Sequence, residues 1–232
     1  METLLHHLSI TPNNLNRGAT ASVAPFYFLP MPITVAVTGG IACGKSHLLS
    51  HLSKSPGIQC DVFSCDEAVS KLLTEAEIVG RLKDCIGSSV LEADGKINRS
   101  VLRTVIFENP LIRKQVEDIL HPAVLERAET FLKISKGELL LIEVPLLYEV
   151  DFPIFRDSDL VIGCSEKTQL ARLTGIRGME RGLAEKILSA QLPIQEKINR
   201  SNYVIWNDGS MEAFNDQIKS LSEIFTSNRS ST

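Results

Sequence analysis

The chemistry most open to reading in the chain lies in Gly39-Gly40-Ile41-Ala42-Cys43-Gly44-Lys45-Ser46, which satisfies the pattern G-x-x-x-x-G-K-[ST]. Each residue type there has a physical task. Glycines permit backbone conformations closed to other residues, so that successive amide N–H groups can wrap phosphate oxygens, and a helix opening at the end of the loop adds the positive end of its dipole. Lys45 is then placed to reach the β- and γ-phosphates, and the Ser46 hydroxyl to ligate Mg²⁺. A plain glycine turn with an exposed lysine would need neither a buried strand before it nor a helix behind it, and both are readable here. The loop therefore predicts binding of a nucleoside triphosphate. It does not fix the fate of the γ-phosphate, because switch GTPases, motor ATPases and small-molecule kinases share it. No NKxD guanine-reading sequence is present, and the apolar run at 139–144 (LLLIEV) supplies only Glu143 where an ATPase would carry Asp-Glu. The layout suits a kinase, which needs an acceptor site, a general base and a lid that excludes water.

The elements that must position this loop follow from periodicity. Residues 33–38 (ITVAVT) are apolar without alternation, as in a strand buried on both faces of a parallel sheet. Helix is expected over 46–54, a second strand over 59–63, helix over 66–73, and a mostly helical block from 75 to 134. Within that block Asp94-Gly95 marks a turn, and Asn109-Pro110 and His121-Pro122 mark helix boundaries. Further buried strands are read at 139–144, 160–163 and 203–206. Helices are expected from Glu166, over 183–200 and over 211–225, with a gap holding Gly175, Gly178 and Gly182 before the second of these. Strands alternating with helices at this spacing imply right-handed βαβ units and a doubly wound parallel sheet, with the long helical block as an insertion standing beside it.

Composition narrows the class. A chain of 232 residues, 44% hydrophobic and 22% charged, is neither a disordered tail nor a disulfide-stapled miniprotein, and can bury a large core in one or two domains. With 24 basic against 28 acidic side chains, nucleic acid is not an expected partner. No apolar run approaches the ~18 residues of a membrane span. Five cysteines without CxxC spacing suggest neither a zinc site nor a disulfide framework, and reduced thiols in a cytoplasmic protein are expected. Residues 1–30 contain only Glu2 and Arg17 as charged side chains and show no persistent period. They are read as a disordered or loosely docked extension, with Met31 as a candidate start of the functional chain.

The longer motifs resemble the dephospho-CoA kinase family. The likeness runs through VTGGIACGKS at 37–46, Cys65-Asp66, DGKINRSVLRTVIF at 94–107, LHP at 120–122, VPLLYE at 144–149, QLARL at 169–173 on to SAQ at 189–191, and YVIWNDG at 203–209. Many families share the phosphate loop; LHP followed at this distance by VPLLYE is the specific part. The resemblance implies an α/β fold with a P-loop NTPase-type parallel β-sheet flanked by helices, a helical substrate-binding insertion and a helical lid. The expected division is a kinase-like domain over 31–232, with core 31–74 and 137–170, insertion 75–136, lid 171–200 and C-terminal core 201–232. The implied reaction moves the γ-phosphoryl group of ATP to the ribose 3′-hydroxyl of dephospho-CoA, giving coenzyme A and ADP, with Mg²⁺ as cofactor. Dephospho-CoA is the expected partner, without nucleic acid or membrane; oligomeric state is not readable, and a monomer is compatible with the sequence. A kinase of a nucleoside monophosphate or other small alcohol, and a nucleotide-binding regulator without turnover, are the alternatives.

The same resemblance assigns site residues. Gly39, Gly40, Ile41, Ala42, Cys43, Gly44, Lys45 and Ser46 would bind ATP, and Asn207 would read its adenine or simply form the turn before Asp208-Gly209. Asp66 stands at the second Asp of the family's Asp-x-Asp pair, as catalytic base or as N-cap of its helix. Ser64 replaces the first Asp, and Glu143 is the candidate for the metal's water shell, or else for a salt bridge at the sheet edge. Lys45, Arg172 and Arg177 would stabilise the transferring phosphoryl group, Arg177 standing one residue beyond the position, Ile176 here, where the family commonly has Arg; a solvated helix face is the alternative for both arginines. His121, Pro145, Leu146 and Leu147 would line the acceptor site, His121 being otherwise a cap or core group. Ser70 replaces a family Arg, with Lys71 adjacent. His47 and His51, at i and i+4, share a helix face without a third metal ligand.

Overall fold

Short runs of β-branched residues and leucine form five strands: β1 (Ile33–Gly39), β2 (Cys60–Ser64), β3 (Leu139–Glu143), β4 (Ser158–Gly163) and β5 (Tyr203–Trp206). In the computed structural model, which describes residues 31–229, they make one parallel sheet in the order β2-β3-β1-β4-β5. The extension read at 1–30 lies outside the described residues. Between and after the strands run α1 (Lys45–Leu52), α2 (Cys65–Leu72), α3 (Ala76–Ile86), α4 (Arg99–Glu108), α5 (Pro110–Ile134), α6 (Glu166–Ala171), α7 (Arg181–Ser189), α8 (Ile194–Arg200) and α9 (Met211–Arg229).

The missing alternation in β1 and β3 has its reason in the two cores. Val35, Val37, Leu139 and Leu141 pack on α1 and α9 through Leu48, Leu52, Phe214 and Phe225. Ala36 and Ile142, on the opposite face, join Leu72, Leu82, Leu102 and Val116 from α2 to α5. Neighbouring residues on a central strand thus each enter an apolar layer, and both must be apolar. The helical block 75–134 reaches this core through α2, on which α5 packs, and through Phe131 against Phe63 of the edge strand β2.

Three helix boundaries carry information about the site. Asn109 starts α5 as read, its Oδ1 accepting from the N–H groups of Leu111 and Ile112 at 3.0 and 3.2 Å, with Pro110 at the first position, where its missing N–H costs nothing. His121-Pro122 is not a boundary, for α5 continues through it. An interior proline costs about 3 kcal/mol, and the buried stripe of Val116, Ile119, Val124 and Ala128 on both sides of it holds the helix together. The helix expected over 183–200 is two, interrupted before Pro193. The second of these, α8, is not lid-like: Ile194 packs against Gly163 of β4, and Lys197 is wholly buried.

All five strands end at one edge. There Ser64 pairs with Glu143, Val37 with Glu143, Gly39 with Ile162 and Gly163 with Trp206. The carboxyl edge of a parallel sheet beside its central strand is where such folds hold ligands.

Candidate active site

The phosphate loop leaves β1 at this edge and returns as α1. Gly39 (φ +146°) and Gly44 (φ +103°) sit where other residues are strained, and their neighbours also exclude a side chain: a Cβ would lie 2.1 Å from Ile162 O and 2.7 Å from Asn207 Nδ2 respectively. Ala42 adopts φ +60° without that freedom. Three successive carbonyls are tied down from outside the loop. Gln169 Nε2 donates to Ile41 O at 2.8 Å, Arg172 Nη1 to Ala42 O at 3.1 Å and Asn207 Nδ2 to Cys43 O at 2.9 Å. Ile41 N donates to Gln191 Oε1 at 3.1 Å. The loop is therefore held in shape by protein groups alone. Lys45 folds back, its ammonium donating to Gly39 O and Gly40 O, both at 3.1 Å. Burial pushes its pKa below the ordinary lysine range, against the opposing influence of Cys43, Glu143 and Asp66.

Two expected contacts change meaning in this setting. Asn207 is 4% exposed, and its amide is spent on Cys43 O and on Arg172, whose Nη2 reaches its Oδ1 at 3.3 Å and its main-chain O at 2.9 Å. It braces the loop and is not turned toward a base. Arg172 is no solvated helix residue either: it joins the loop to the turn after β5 while still bordering the cleft.

Ser64 and Glu143, paired on neighbouring strands, are joined by a hydrogen bond from Ser64 Oγ to Glu143 Oε2 at 2.8 Å. Ser64 is also the N-cap of α2, its Oγ accepting from Glu67 N at 3.4 Å. The capping role considered for Asp66 is thus filled by Ser64, and Asp66 is left exposed in the first turn with no hydrogen-bond partner. Asp66 and Pro145 are common to two cavities. One, of about 470 Å³, is lined by residues 41–46 with Glu143, Arg172 and Arg177; the other, of about 620 Å³, is bordered by Lys114, His121, Leu146 and Phe152. His121 Nε2 is buried without a hydrogen-bond partner. Leu147, at 3% exposure, belongs to the core with Val144 and Phe152, so of the three residues read as cleft lining only Pro145 and Leu146 are presented.

Residues Arg172–Ile176 form a π turn, closed by Arg177 N donating to Arg172 O at 3.2 Å. Such a turn holds one residue more than an α turn. Ile176 is 81% exposed at the mouth of the loop cavity, and Arg177 borders the same cavity. Ser70 receives a different cation: Arg99 of α4 donates to its carbonyl at 3.0 Å. The His pair on α1 is committed elsewhere, His47 Nε2 meeting Asn215 Oδ1 at 2.8 Å. Among the described residues no group of three or more His, Cys, Asp or Glu could hold a metal by itself. Ser46 and Glu143 do face one cavity, and the second oxygen of Glu143 accepts no hydrogen bond from the protein. That sparse oxygen set fits Mg²⁺, which keeps several waters and takes its other ligands from substrate phosphates.

The sequence did not single out Gln169, Gln191, or the ion pair of Lys197 Nζ with Glu149 Oε1 at 2.6 Å. The glutamines act on the loop across 128 and 150 residues, a separation no local pattern reports. For Ser64 a signal existed: a lone carboxylate closing an apolar strand needs a partner, and a hydroxyl at the next strand's end is one.

A family model described as dephospho-CoA kinase matches residues 33–213. A dephospho-CoA kinase of Acinetobacter baylyi is 32% identical over 190 residues, which cover 82% of this chain and 96% of that protein. A crystal structure of a Thermus thermophilus protein superposes with a TM-score of 0.72 at 25% identity, covering 83% of this chain and 97% of the other. The structure of a dephospho-CoA kinase from Campylobacter jejuni gives 0.56 at 24% identity, covering 84% and 98%.

Proposed function

The chain belongs to the dephospho-CoA kinase family, and from that membership we propose how its own residues move the γ-phosphoryl group of ATP to the ribose 3′-hydroxyl of dephospho-CoA, yielding coenzyme A and ADP. The observation that carries the reading is Asp66: a carboxylate free of protein partners, on the border between the cavity of the phosphate loop and the larger cleft.

The triphosphate lies in the loop, against the amides of 39–46. Lys45 exchanges its two carbonyl contacts for phosphate oxygens, which gives a buried cation negatively charged partners. The acceptor ribose enters from the larger cleft past Pro145 and Leu146, and His121 Nε2 offers a hydrogen bond to it. Asp66 takes the 3′-hydroxyl proton as the oxygen forms its bond to the γ-phosphorus and the bond to the β-phosphate oxygen breaks. Arg172, fixed by Ala42 and Asn207, and Arg177, on the exposed turn, meet the charge that spreads over the phosphoryl oxygens. Mg²⁺ would be held by Ser46 directly and by Glu143 through water, and would neutralise phosphate charge. Within the stretch 171–200 read as the lid, residues 177–191 are the part that closes, tied at its end to the loop by Gln191, with α3 to α5 as the acceptor-binding part of a single domain. The enzyme is read as cytoplasmic, from its odd number of free thiols.

The test is ADP release in a coupled assay, with dephospho-CoA set against a panel of nucleoside monophosphates. Turnover with dephospho-CoA alone, abolished in Asp66→Asn while ATP binding persists, is expected. Acceptor-independent ATP hydrolysis as the main activity would refute the proposal.

A further inference from the structure

Beneath the phosphate loop two thiols face each other. Cys43 turns its sulfur inward to 3.3 Å from that of Cys164, the residue after β4, and both side chains are fully buried. Gly40 leaves the room for this, since a Cβ there would lie 2.9 Å from the Cys43 sulfur. Arg172 Nη1 approaches the Cys164 sulfur at 3.8 Å. The other thiols are poor nucleophiles: burial pushes Cys60 and Cys65 up to about 12 and raises Cys85 as well. Cys43 is displaced the other way. The hydrogen bond shared with Cys164, with the charges of Lys45 and Arg172, holds it below the ordinary thiol range despite its burial. Two thiols with their sulfurs 3.3 Å apart are the arrangement in which an oxidised sulfur is captured as a disulfide.

We propose that Cys43 and Cys164 are a reversible modification site, at which a hydroperoxide drives formation of a disulfide under the phosphate loop and the loop loses its hold on ATP. With hydrogen peroxide, the Cys43 sulfur attacks one oxygen, the O–O bond breaks, and a sulfenic acid forms with release of water. The Cys164 sulfur then displaces the hydroxyl from Cys43, which leaves as a second water with the Cys164 proton. Two thiols and one peroxide become one disulfide and two waters; the sulfurs lose two electrons and the peroxide gains them. A small dithiol reverses the change by exchange.

The consequence follows from distance. A disulfide holds its sulfurs near 2.05 Å, so this pair must close by about 1.3 Å. Cys43 cannot follow freely, because its carbonyl is tied to Asn207 and the next residue is Gly44 at φ +103°. The distortion falls on the backbone between Ala42 and Ser46, where the phosphates sit. The inference rests on the reading of 39–46 as the ATP loop, and the experiment separates the two.

ATP affinity of the reduced full-length protein is measured first and tests the loop reading alone. The protein is then titrated with hydrogen peroxide and digested with trypsin without reduction, which tests the thiol pair whatever the first result. The expected product links the peptide ending at Lys45 to that of residues 157–167, with ATP affinity reduced at least tenfold and restored by dithiothreitol. Cys164→Ala, and Cys164→Ser as a second variant, should resist this loss under the same peroxide. Absence of the 43–164 link, a link that leaves ATP affinity unchanged, or equal reversible loss in both Cys164 variants would overturn the proposal.

Discussion

Asp66 and Lys45 are the two residues whose removal should separate binding from chemistry. Asp66→Asn keeps the size of the side chain at the border of the two cavities but cannot accept a proton. Its kcat should fall by about 10²–10⁴, the usual contribution of a general base, with ATP affinity within twofold of wild type. Steady-state kinetics with isothermal titration checks both numbers, and an unchanged kcat would remove Asp66 from the mechanism. Lys45→Ala acts earlier, on the phosphates themselves, and should weaken ATP binding together with turnover. The sign of its pH dependence is set by burial: because desolvation lowers the Lys45 pKa, the unliganded lysine loses its proton, and the loop its positive charge, at a lower pH than an exposed lysine would. ATP association should accordingly weaken on the alkaline side before the ordinary lysine range is reached, measurable as a rise in Kd with pH. The two arginines differ in the same way. Arg172 has three oxygen partners around the loop and Arg177 borders the cleft from an exposed turn. Arg172→Ala should lower both Tm and kcat, whereas Arg177→Ala should lower kcat alone, by about 10²-fold for a lost transition-state charge contact. Equal Tm losses would mean that Arg177 has a structural role.

At the scale of elements, the π turn makes the displaced arginine testable. Arg177 N bonds to Arg172 O across five residues, so deleting Gly175, where even an added Cβ would meet nothing within 4 Å, would turn that contact into an α-helical one and leave Arg177 on nearly the same side. Activity should survive the deletion within tenfold, while inserting a residue beside Gly175 should depress kcat as strongly as removing Arg177. An inactive deletion variant with wild-type Tm would sink the idea. Such a turn illustrates what was legible in the sequence and what was not. The strands, the phosphate loop, the Asn109 start of α5 and the order of motifs could be read because each is a local pattern of apolar period, glycine or cap. The π turn, the continuation of α5 through Pro122 and the bracing role of Asn207 could not: the first is closed by a bond five residues along that no apolar period announces, and the other two are decided by distant partners, the apolar layer around Val116 and Val124 and the carbonyl of Cys43. Glu149 and Lys197 belong to this second kind. Glu149 accepts from Leu192 N at 3.1 Å and forms an ion pair with the wholly buried Lys197 at 2.6 Å, joining the acceptor-cleft loop to the base of the lid. Lys197→Met alone strands a carboxylate that is 17% exposed and should cost about 3–5 kcal/mol, whereas Glu149→Leu with Lys197→Met should recover most of it. Denaturant unfolding of the two variants decides this. Failure of the double change to recover stability would show that the loss comes from packing of the lysine stem.

Over the whole molecule, the two cavities meet at Asp66 and Pro145 beside the sheet edge, and on the function proposed above the part that closes over them is narrower than the stretch 171–200. The anchored segments are visible. The π turn is pinned at its start by Arg172, and α8 is pinned on β4 by Ile194 and to Glu149, in the loop after β3, by Lys197. Between them Ile176, at 81% exposure beside the loop cavity, and Leu183, at 48%, present apolar surface to solvent, and α7 buries only Ala184 completely. A segment with few buried contacts between two fixed ends is the part of a fold that opens and closes at least cost. Closing it over ATP and acceptor would cover those apolar side chains, bring Arg177 onto the phosphates and exclude the water that would otherwise compete with the 3′-hydroxyl. Amide hydrogen exchange should therefore slow over 177–191 when a non-hydrolysable ATP analogue and dephospho-CoA are both bound, and by less with either alone. Exchange over 194–200 should be unchanged, because that helix is packed before any ligand arrives. Protection spreading equally through 194–200 would make the whole stretch a rigid lid hinged at Ser201, and an unaltered 177–191 would leave water exclusion to the acceptor itself.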